Sequence, residues 1–235
     1  MKNKQYIIHS FPSPEVLAKH LADFVIECIA NGIEEKNHAS LVVSGGSTPK
    51  PLFEALSGRD CNWHKVSITL TDERWVETTD QESNESLVRE NLLQGKAQAA
   101  SFLGLKNNAA TAYEGEKECY SLLCSIPRPF DVVVLGMGND GHTASLFPGV
   151  RRLKQAMDMR SSVNCLALSP DGSAHERMTL TLPVLLDAKQ IIIHITGPEK
   201  RKVLEQAMTD GPETEMPVQA ILKQRKTPVQ IYCAP

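Results

Sequence analysis

The sequence predicts an α/β fold in which a mostly parallel sheet is covered by helices on both faces. Three observations predict it. Strand and helix patterns alternate nearly throughout, the clearest strand runs are unbroken apolar stretches such as Val132-Val133-Val134-Leu135, and glycine- or hydroxyl-rich turns follow those runs. Repeated βα units make strands parallel, and a strand apolar on both faces needs a layer on each side. A chain of 235 residues with 41% hydrophobic content is long enough to bury a sizeable core. It carries no evident linker, low-complexity stretch or fixed-period repeat, so residues 1–235 are read as a single domain.

The elements follow in order. Tyr6 to Ile8 reads as a short strand, and Ser13-Pro14 then offers an N-cap and an N1 proline. The helix they open carries Val16, Leu17, Leu21, Phe24, Val25, Cys28 and Ile29 on its apolar face, and Gly32 is expected to end it. Leu41-Val42-Val43 is the next buried strand, followed by Gly45-Gly46 and a helix opened by Thr48-Pro49. Val66 to Leu70 is a third strand. A helix around Asn84 to Leu93, a short strand at Phe102 to Leu105 and a helix from Thr111 to about Leu123 lead to the strand Asp131 to Leu135. A helix start is then expected near Thr143, although Pro148-Gly149 cuts it short. The strand Val163 to Leu168, a helix from Pro183, the strand Ile191 to Ile195, a helix from Pro198 and a last strand near Val229 to Tyr232 complete the pattern.

A formal charge of −3 and a pI near 6.2 give no broad basic field, which argues against nucleic acid and anionic membrane as partners. Any anion must be held locally. The N-terminal stretch has no apolar run of signal-peptide length, and no run approaches the roughly 18 apolar residues of a membrane span, so a cytoplasmic location is expected. Cys28, Cys61, Cys119, Cys124, Cys165 and Cys233 show no C-x-x-C pairing and are expected to be reduced, mostly buried thiols.

Leu135 to Phe147, LGMGNDGHTASLF, is the most informative stretch. In open α/β sheets ligands bind where buried strands end. Asp140 and His142, separated only by Gly141, therefore fall at the mouth of a cleft, on a turn that needs glycine's permissive φ. That placement suits a general base; the bland alternative is that His142 only caps or is solvated. Gly136, Gly138 and Gly141 also match the dinucleotide fingerprint G-x-G-x-x-G, but its context is missing. The candidate acid, Asp158, lies in a polar stretch rather than after an apolar run.

Ser44-Gly45-Gly46-Ser47-Thr48-Pro49 stands between a buried strand and a helix start, where backbone N–H groups and hydroxyls converge on a helix N-terminus. Such a turn cradles phosphate. It is neither a Walker A loop nor a nucleophile elbow, and a well-capped turn is the plain alternative. Thr71-Asp72-Glu73-Arg74-Trp75 puts a carboxylate pair and a guanidinium at a third strand end, where Arg74 can orient an anion and Asp72 can handle a proton or position a hydroxyl. A solvated charged loop would read the same way. Arg177 and Lys200 sit near element starts and, taken alone, say little.

Together, SGGSTP, TDERWVETTDQESN, LGMGNDGHTASLFPG, ERMTLTLPVLLDAKQ and GPEKRKVL resemble, in this order, the motif series of the 6-phosphogluconolactonases. That family is similar in fold to glucosamine-6-phosphate deaminases and ribose-5-phosphate isomerases. The resemblance spans nearly the whole chain. It implies a three-layer α/β/α domain with a doubly wound sheet that hydrolyses 6-phospho-D-glucono-1,5-lactone in the oxidative pentose phosphate pathway. No metal or organic cofactor is implied; the expected partner is a small sugar-phosphate lactone, and the expected state of the chain is a monomer or weak homo-oligomer. Residue by residue, it assigns Ser44, Gly45, Gly46, Ser47 and Thr48 to the phosphate loop with Arg177 and Lys200 as cationic partners. It makes His142 the base that activates water, with Asp140, Asp72 and Arg74 in the same pocket. The approach to Arg177, LSPDGSAHE, departs from the proline-rich pattern of the family.

The chemistry agrees independently. A lactone carbonyl is already activated, so a positioned water and a histidine, whose ordinary pKa is about 6.5, should suffice without a covalent nucleophile. Charge developing on the carbonyl oxygen would be met by N–H groups of the Gly136 to Gly141 loop or by Arg74. Two other readings stand beside this one. An amino-sugar-phosphate deaminase or isomerase would use Asp72 to shuttle protons on the same scaffold. A non-catalytic sugar-phosphate sensor would need neither His142 nor Asp72.

Overall fold

The computed structural model of the protein describes residues 6–235. Strands β1 (Tyr6–Ser10), β2 (Ala39–Val43), β3 (Val66–Leu70), β5 (Ser101–Leu103), β6 (Phe130–Leu135), β9 (Ala188–Thr196) and β10 (Val229–Ala234) form one sheet. Its order is β1-β10-β9-β6-β2-β3-β5, and every pairing is parallel. A second, antiparallel sheet joins β4 (Asp72–Arg74), β8 (Arg177–Leu180) and β7 (Cys165–Leu168). The helices are α1 (Pro14–Lys36), α2 (Lys50–Ser57), α3 (Asn84–Asn91), α4 (Ala112–Leu123), α5 (Leu153–Ala156), α6 (Leu182–Leu185), α7 (Pro198–Ala207) and α8 (Val218–Lys223). All residues of β2 and β6 are buried, as strands covered on both faces must be. The α/β class and the mostly parallel sheet are as the sequence predicts.

Strand order locates the ligand crevice. After β2 the chain winds outward through β3 and β5; after β6 it winds the other way through β9 and β10. The direction in which strands are added therefore reverses between adjacent, parallel β2 and β6, and a crevice opens beyond their carboxyl ends. The Ser44–Thr48 turn follows β2 and the Gly136–His142 turn follows β6, so the two motif-bearing loops flank that crevice. β4 continues almost directly from β3, and its antiparallel pairing with β8 sets Arg74 opposite Arg177.

Two local expectations are corrected. Helix α1 does not end at Gly32: Ser13 caps its start by accepting from the Val16 N–H, and it runs on to Lys36. The helix stops only at Asn37, in the left-handed region at φ 58°, with its N–H on the Ile33 carbonyl. Gly32 is there for proximity. A Cβ would fall 2.5 Å from Oδ1 of Asp131, a buried carboxylate held by the N–H and hydroxyl of Ser40 and ion-paired to Lys36 at 3.0 Å. Gly32→Ala is expected to cost about 1–3 kcal/mol through overcrowding, in spite of alanine's better helix propensity. Urea unfolding checks this, and a stabilised variant would show that helix and carboxylate can separate freely.

The second correction concerns Thr143, where no helix begins. The Thr143 hydroxyl donates back to the Gly136 carbonyl at 2.9 Å, Ala144 takes φ 49°, and Thr143 forms a β-bridge with Leu146. A non-glycine residue in the left-handed region cannot continue an α-helix. The strand Val163 to Leu168 exists from Cys165 but joins the small antiparallel sheet rather than the parallel one. Among the cysteines Cys119, Cys165 and Cys233 are buried, Cys28 and Cys61 are half-buried and Cys124 is exposed, so burial is less general than expected.

Candidate active site

A cavity of about 430 Å³ occupies the crevice. Its wall brings together Ser44, Gly45, Gly46, Ser47, Thr48, Asp72, Arg74, His142, Arg177 and Lys200. Asp140 reaches it through His142: its Oδ1 lies 2.6 Å from Nδ1 of the imidazole. The same oxygen accepts the His142 backbone N–H at 3.1 Å, as expected when the two residues are separated by a single turn glycine. Gly141 takes φ 78° there. The side chain of Phe147 packs on the imidazole with ring centroids 4.0 Å apart. A Cβ on Gly138 would lie 2.0 Å from Nδ1 of His142, so only glycine lets the loop close over this pair. Burial disfavours charge on Asp140, but the His142 N–H and imidazole outweigh it and hold the carboxyl below its ordinary pKa. With Nδ1 committed to a carboxylate, Nε2 is left to accept a proton, since no side chain of the described residues engages it.

The Thr71–Trp75 segment splits the carboxylate pair seen in the sequence. Successive strand residues point to opposite faces. Asp72 faces the cavity, with Oδ2 accepting from the Ser145 hydroxyl at 2.6 Å and Oδ1 from the Thr71 hydroxyl at 3.0 Å. Glu73 instead turns inward and caps α3, accepting N–H bonds from Asn84, Glu85 and Arg74. Burial pushes its carboxyl up to about 7 against those three donors. Through this cap α3 is fixed to β4, and Asn84 returns a bond from Nδ2 to the Asp72 carbonyl at 2.9 Å. Glu73 is thus a brace beneath the site.

Cations dominate the far wall. Arg74 and Arg177 stand directly opposite on antiparallel strands, an unfavourable placement for like charges unless an anion lies between them. Burial, then the neighbouring Arg74, pulls the Arg177 guanidinium below its ordinary value, and its Nε is buried without a partner. Lys200 lies in the first turn of α7, at the positive end of the helix dipole. Its ammonium donates to the Met137 carbonyl, while burial lowers its pKa in spite of Asp140 and Glu199. Helix α2 begins at Lys50 with no side-chain cap, but its first turn offers few donors: Lys50 N–H bonds the Ser47 carbonyl at 3.4 Å, Pro51 has no N–H and Phe53 N–H bonds the Pro49 carbonyl. The anion donors here are therefore the backbone N–H groups of Gly46, Ser47 and Thr48 in the loop before it. Ser44 differs from the rest of its loop. Its hydroxyl donates to the Val134 carbonyl at 3.0 Å, contacts the Thr71 hydroxyl at 2.9 Å and accepts the Gly136 N–H at 3.2 Å, which ties the ends of β2, β3 and β6 together.

Sequence reasoning missed Asn84, Ser145, Phe147 and His194, all of which line the cavity or hold a residue that does. Only His194 left a trace, as the lone polar residue in the run Ile191-Ile192-Ile193-His194-Ile195.

An α/β fold with its cavity at the switch point, walled by three cations, a glycine- and hydroxyl-rich loop and a carboxylate-supported histidine, defines a class of enzyme that handles small phosphorylated metabolites. The chain belongs to the family described as glucosamine-6-phosphate isomerases/6-phosphogluconolactonase, which it matches over residues 12–230. It is 44% identical over 228 residues to a 6-phosphogluconolactonase from Rhizobium meliloti, covering 97% of this chain and 98% of that one. The crystal structure of a 6-phosphogluconolactonase from Shewanella baltica superposes with a TM-score of 0.95 at 44% identity, covering 98% of both chains. A monomeric glucosamine-6-phosphate deaminase shares the fold, with a TM-score of 0.76 over 95% of this chain and 96% of its own, at 17% identity. No helix of the described residues is long and apolar enough to cross a membrane.

Proposed function

We propose that this chain hydrolyses 6-phospho-D-glucono-1,5-lactone to 6-phosphogluconate, with His142 activating the attacking water. The full-length likeness to 6-phosphogluconolactonases supports the substrate. The observation that carries the mechanism is the Asp140–His142 pair at the cavity wall. Asp140 fixes the ring with Nδ1–H toward its carboxylate. Nε2 takes a proton from water as the water oxygen bonds to C1 of the lactone. The C1–O5 bond of the tetrahedral intermediate then breaks, and His142 returns the proton to O5, so atoms and charges balance without a covalent intermediate. The N–H groups of Gly136, Gly138 and Gly141 are already spent on Ser44, His142 and the Gly138 carbonyl. The donors left for charge on the carbonyl oxygen are the Met137 N–H of the same loop and Arg74, which keeps donors beyond its bond to the Glu82 carbonyl.

The phosphate is gripped by the Ser44 to Thr48 loop, Arg177 and Lys200, with Ser44 acting by shaping the loop. Asp72, held by two hydroxyls, positions groups rather than shuttling protons between carbons. That favours lactone hydrolysis over the deaminase or isomerase alternative. The chain works as a single domain in the cytoplasm, as a monomer or weak homo-oligomer. A coupled assay on freshly generated lactone, with spontaneous hydrolysis subtracted, tests the proposal; no enzymatic excess over background would sink it. Chelation is expected to leave the rate unchanged, because among the described residues no three His, Cys, Asp or Glu side chains gather at ligand spacing. Loss of activity with EDTA and recovery on adding a divalent ion would overturn the unaided-water scheme.

A further inference from the structure

His194, like Asn84, is a polar side chain of the cavity wall that the hydrolytic scheme leaves unused, but Asn84 is bonded to the Asp72 carbonyl. His194 stands near the end of β9, level with Tyr232 on β10, and is 4% exposed. Nδ1 is fully enclosed and has no hydrogen-bond partner, and no side chain or backbone group of the described residues bonds to Nε2 either. Leucine or isoleucine would pack into this run of isoleucines without that penalty. A buried imidazole unpaired at both nitrogens costs stability, and such a group calls for a partner from outside the chain.

The proton can be assigned. A neutral imidazole has one N–H and one bare nitrogen. An enclosed N–H is a rarer orphan than an enclosed acceptor, so Nδ1 is the bare nitrogen and the proton sits on Nε2, the nitrogen that is not enclosed. Burial pushes the ring's pKa down to about 4, so it adds a neutral donor to the site and no further positive charge. β9 lies on the opposite side of β6 from β2, so the ring is separated by a strand from the Ser44–Thr48 loop. The phosphate is already supplied with the Ser44–Thr48 loop and two cations, of which Lys200 enters from α7, directly after β9. A neutral donor matches an uncharged oxygen instead.

We propose that His194 is a substrate-binding residue whose Nε2–H donates to a hydroxyl or ring oxygen of the bound sugar. The inference rests on the sugar-phosphate reading above and extends it to recognition of the carbon chain. His194→Leu and His194→Gln test it, with turnover of the lactone and calorimetric binding of 6-phosphogluconate as separate readouts. The Leu variant is expected to melt at or above the wild-type temperature, having lost a buried orphan. Its KM and its Kd for 6-phosphogluconate should rise about 3–10-fold, the worth of one neutral hydrogen bond, with kcat little changed. Gln, whose amide N–H reaches about as far, should recover most of the loss. Unchanged KM and Kd in the folded Leu variant would overturn the proposal and leave His194 as packing. The wild-type protein gives a further check that needs no variant: the His194 ring nitrogens should show the Nε2–H tautomer by NMR and shift when 6-phosphogluconate binds. An unperturbed ring in saturated protein would also overturn it. If wild-type protein neither hydrolyses the lactone nor binds 6-phosphogluconate, the functional reading itself fails, an outcome distinct from a His194-specific one.

Discussion

His142→Ala is expected to lose on the order of 10²–10⁴ in kcat, the usual contribution of a positioned general base, with a much smaller change in KM. The split follows from the geometry. In the proposed scheme the imidazole touches the reacting water, whereas the groups assigned to the phosphate lie on the Ser44–Thr48 loop, β8 and α7. An interaction made only in the transition state lowers kcat and kcat/KM together, while ground-state binding survives. The substitution also removes the ring packed against Phe147, so the variant's melting temperature must be compared with the wild type before its rate is interpreted. A folded His142→Ala protein that retained near wild-type turnover above the spontaneous background would remove His142 from the mechanism. Asp140 offers an internal control. If it acts by orienting Nδ1–H, Asp140→Asn should slow turnover through the wrong tautomer while leaving 6-phosphogluconate binding intact.

What could be read from the sequence divides along a physical line. The β6 strand and the pair Asp140–His142 were legible because both signals are local: an apolar run fixes the strand, and a one-residue spacing across glycine fixes the contact. The Ser44–Thr48 turn was legible for the same reason. Ser145 was not, because its bond to Asp72 joins residues 73 positions apart and nothing in the stretch Ala144-Ser145-Leu146 marks it. Glu73 read as a member of a carboxylate pair because the three-residue strand that points it away from Asp72 is too short to show a period. Gly32 read as a helix stop because glycine has two uses, and the one that applies depends on Asp131, which lies 99 positions later. Arg177 and Lys200 gained meaning only once β8 and α7 brought them to the same wall. Long-range placement is decided by packing and strand order, which no window of sequence contains.

Removing the phosphate from the substrate should be the largest single change that leaves the protein untouched. If the Ser44 to Thr48 loop, Arg177 and Lys200 grip the 6-phosphate, each charge-assisted hydrogen bond is worth roughly 1.5–3 kcal/mol. Glucono-1,5-lactone is then expected to be a poorer substrate by at least about 10²-fold in kcat/KM. The contribution of Lys200 is separable. Its ammonium donates to the Met137 carbonyl, within the same loop that carries His142, so Lys200→Ala has two possible consequences. Loss of a phosphate contact penalises the phosphorylated lactone alone, and the preference for it should erode by about 10-fold or more. A slackened Gly136–His142 loop would displace the base and slow both lactones alike. The arrangement of charge favours the first outcome: a lysine at a helix N-terminus, in a wall already holding two arginines, is unfavourably placed until an anion arrives. Equal slowing of the two substrates in a folded Lys200→Ala protein would mean that the lysine supports the loop and that the phosphate is held by Arg177 and the Ser44–Thr48 loop.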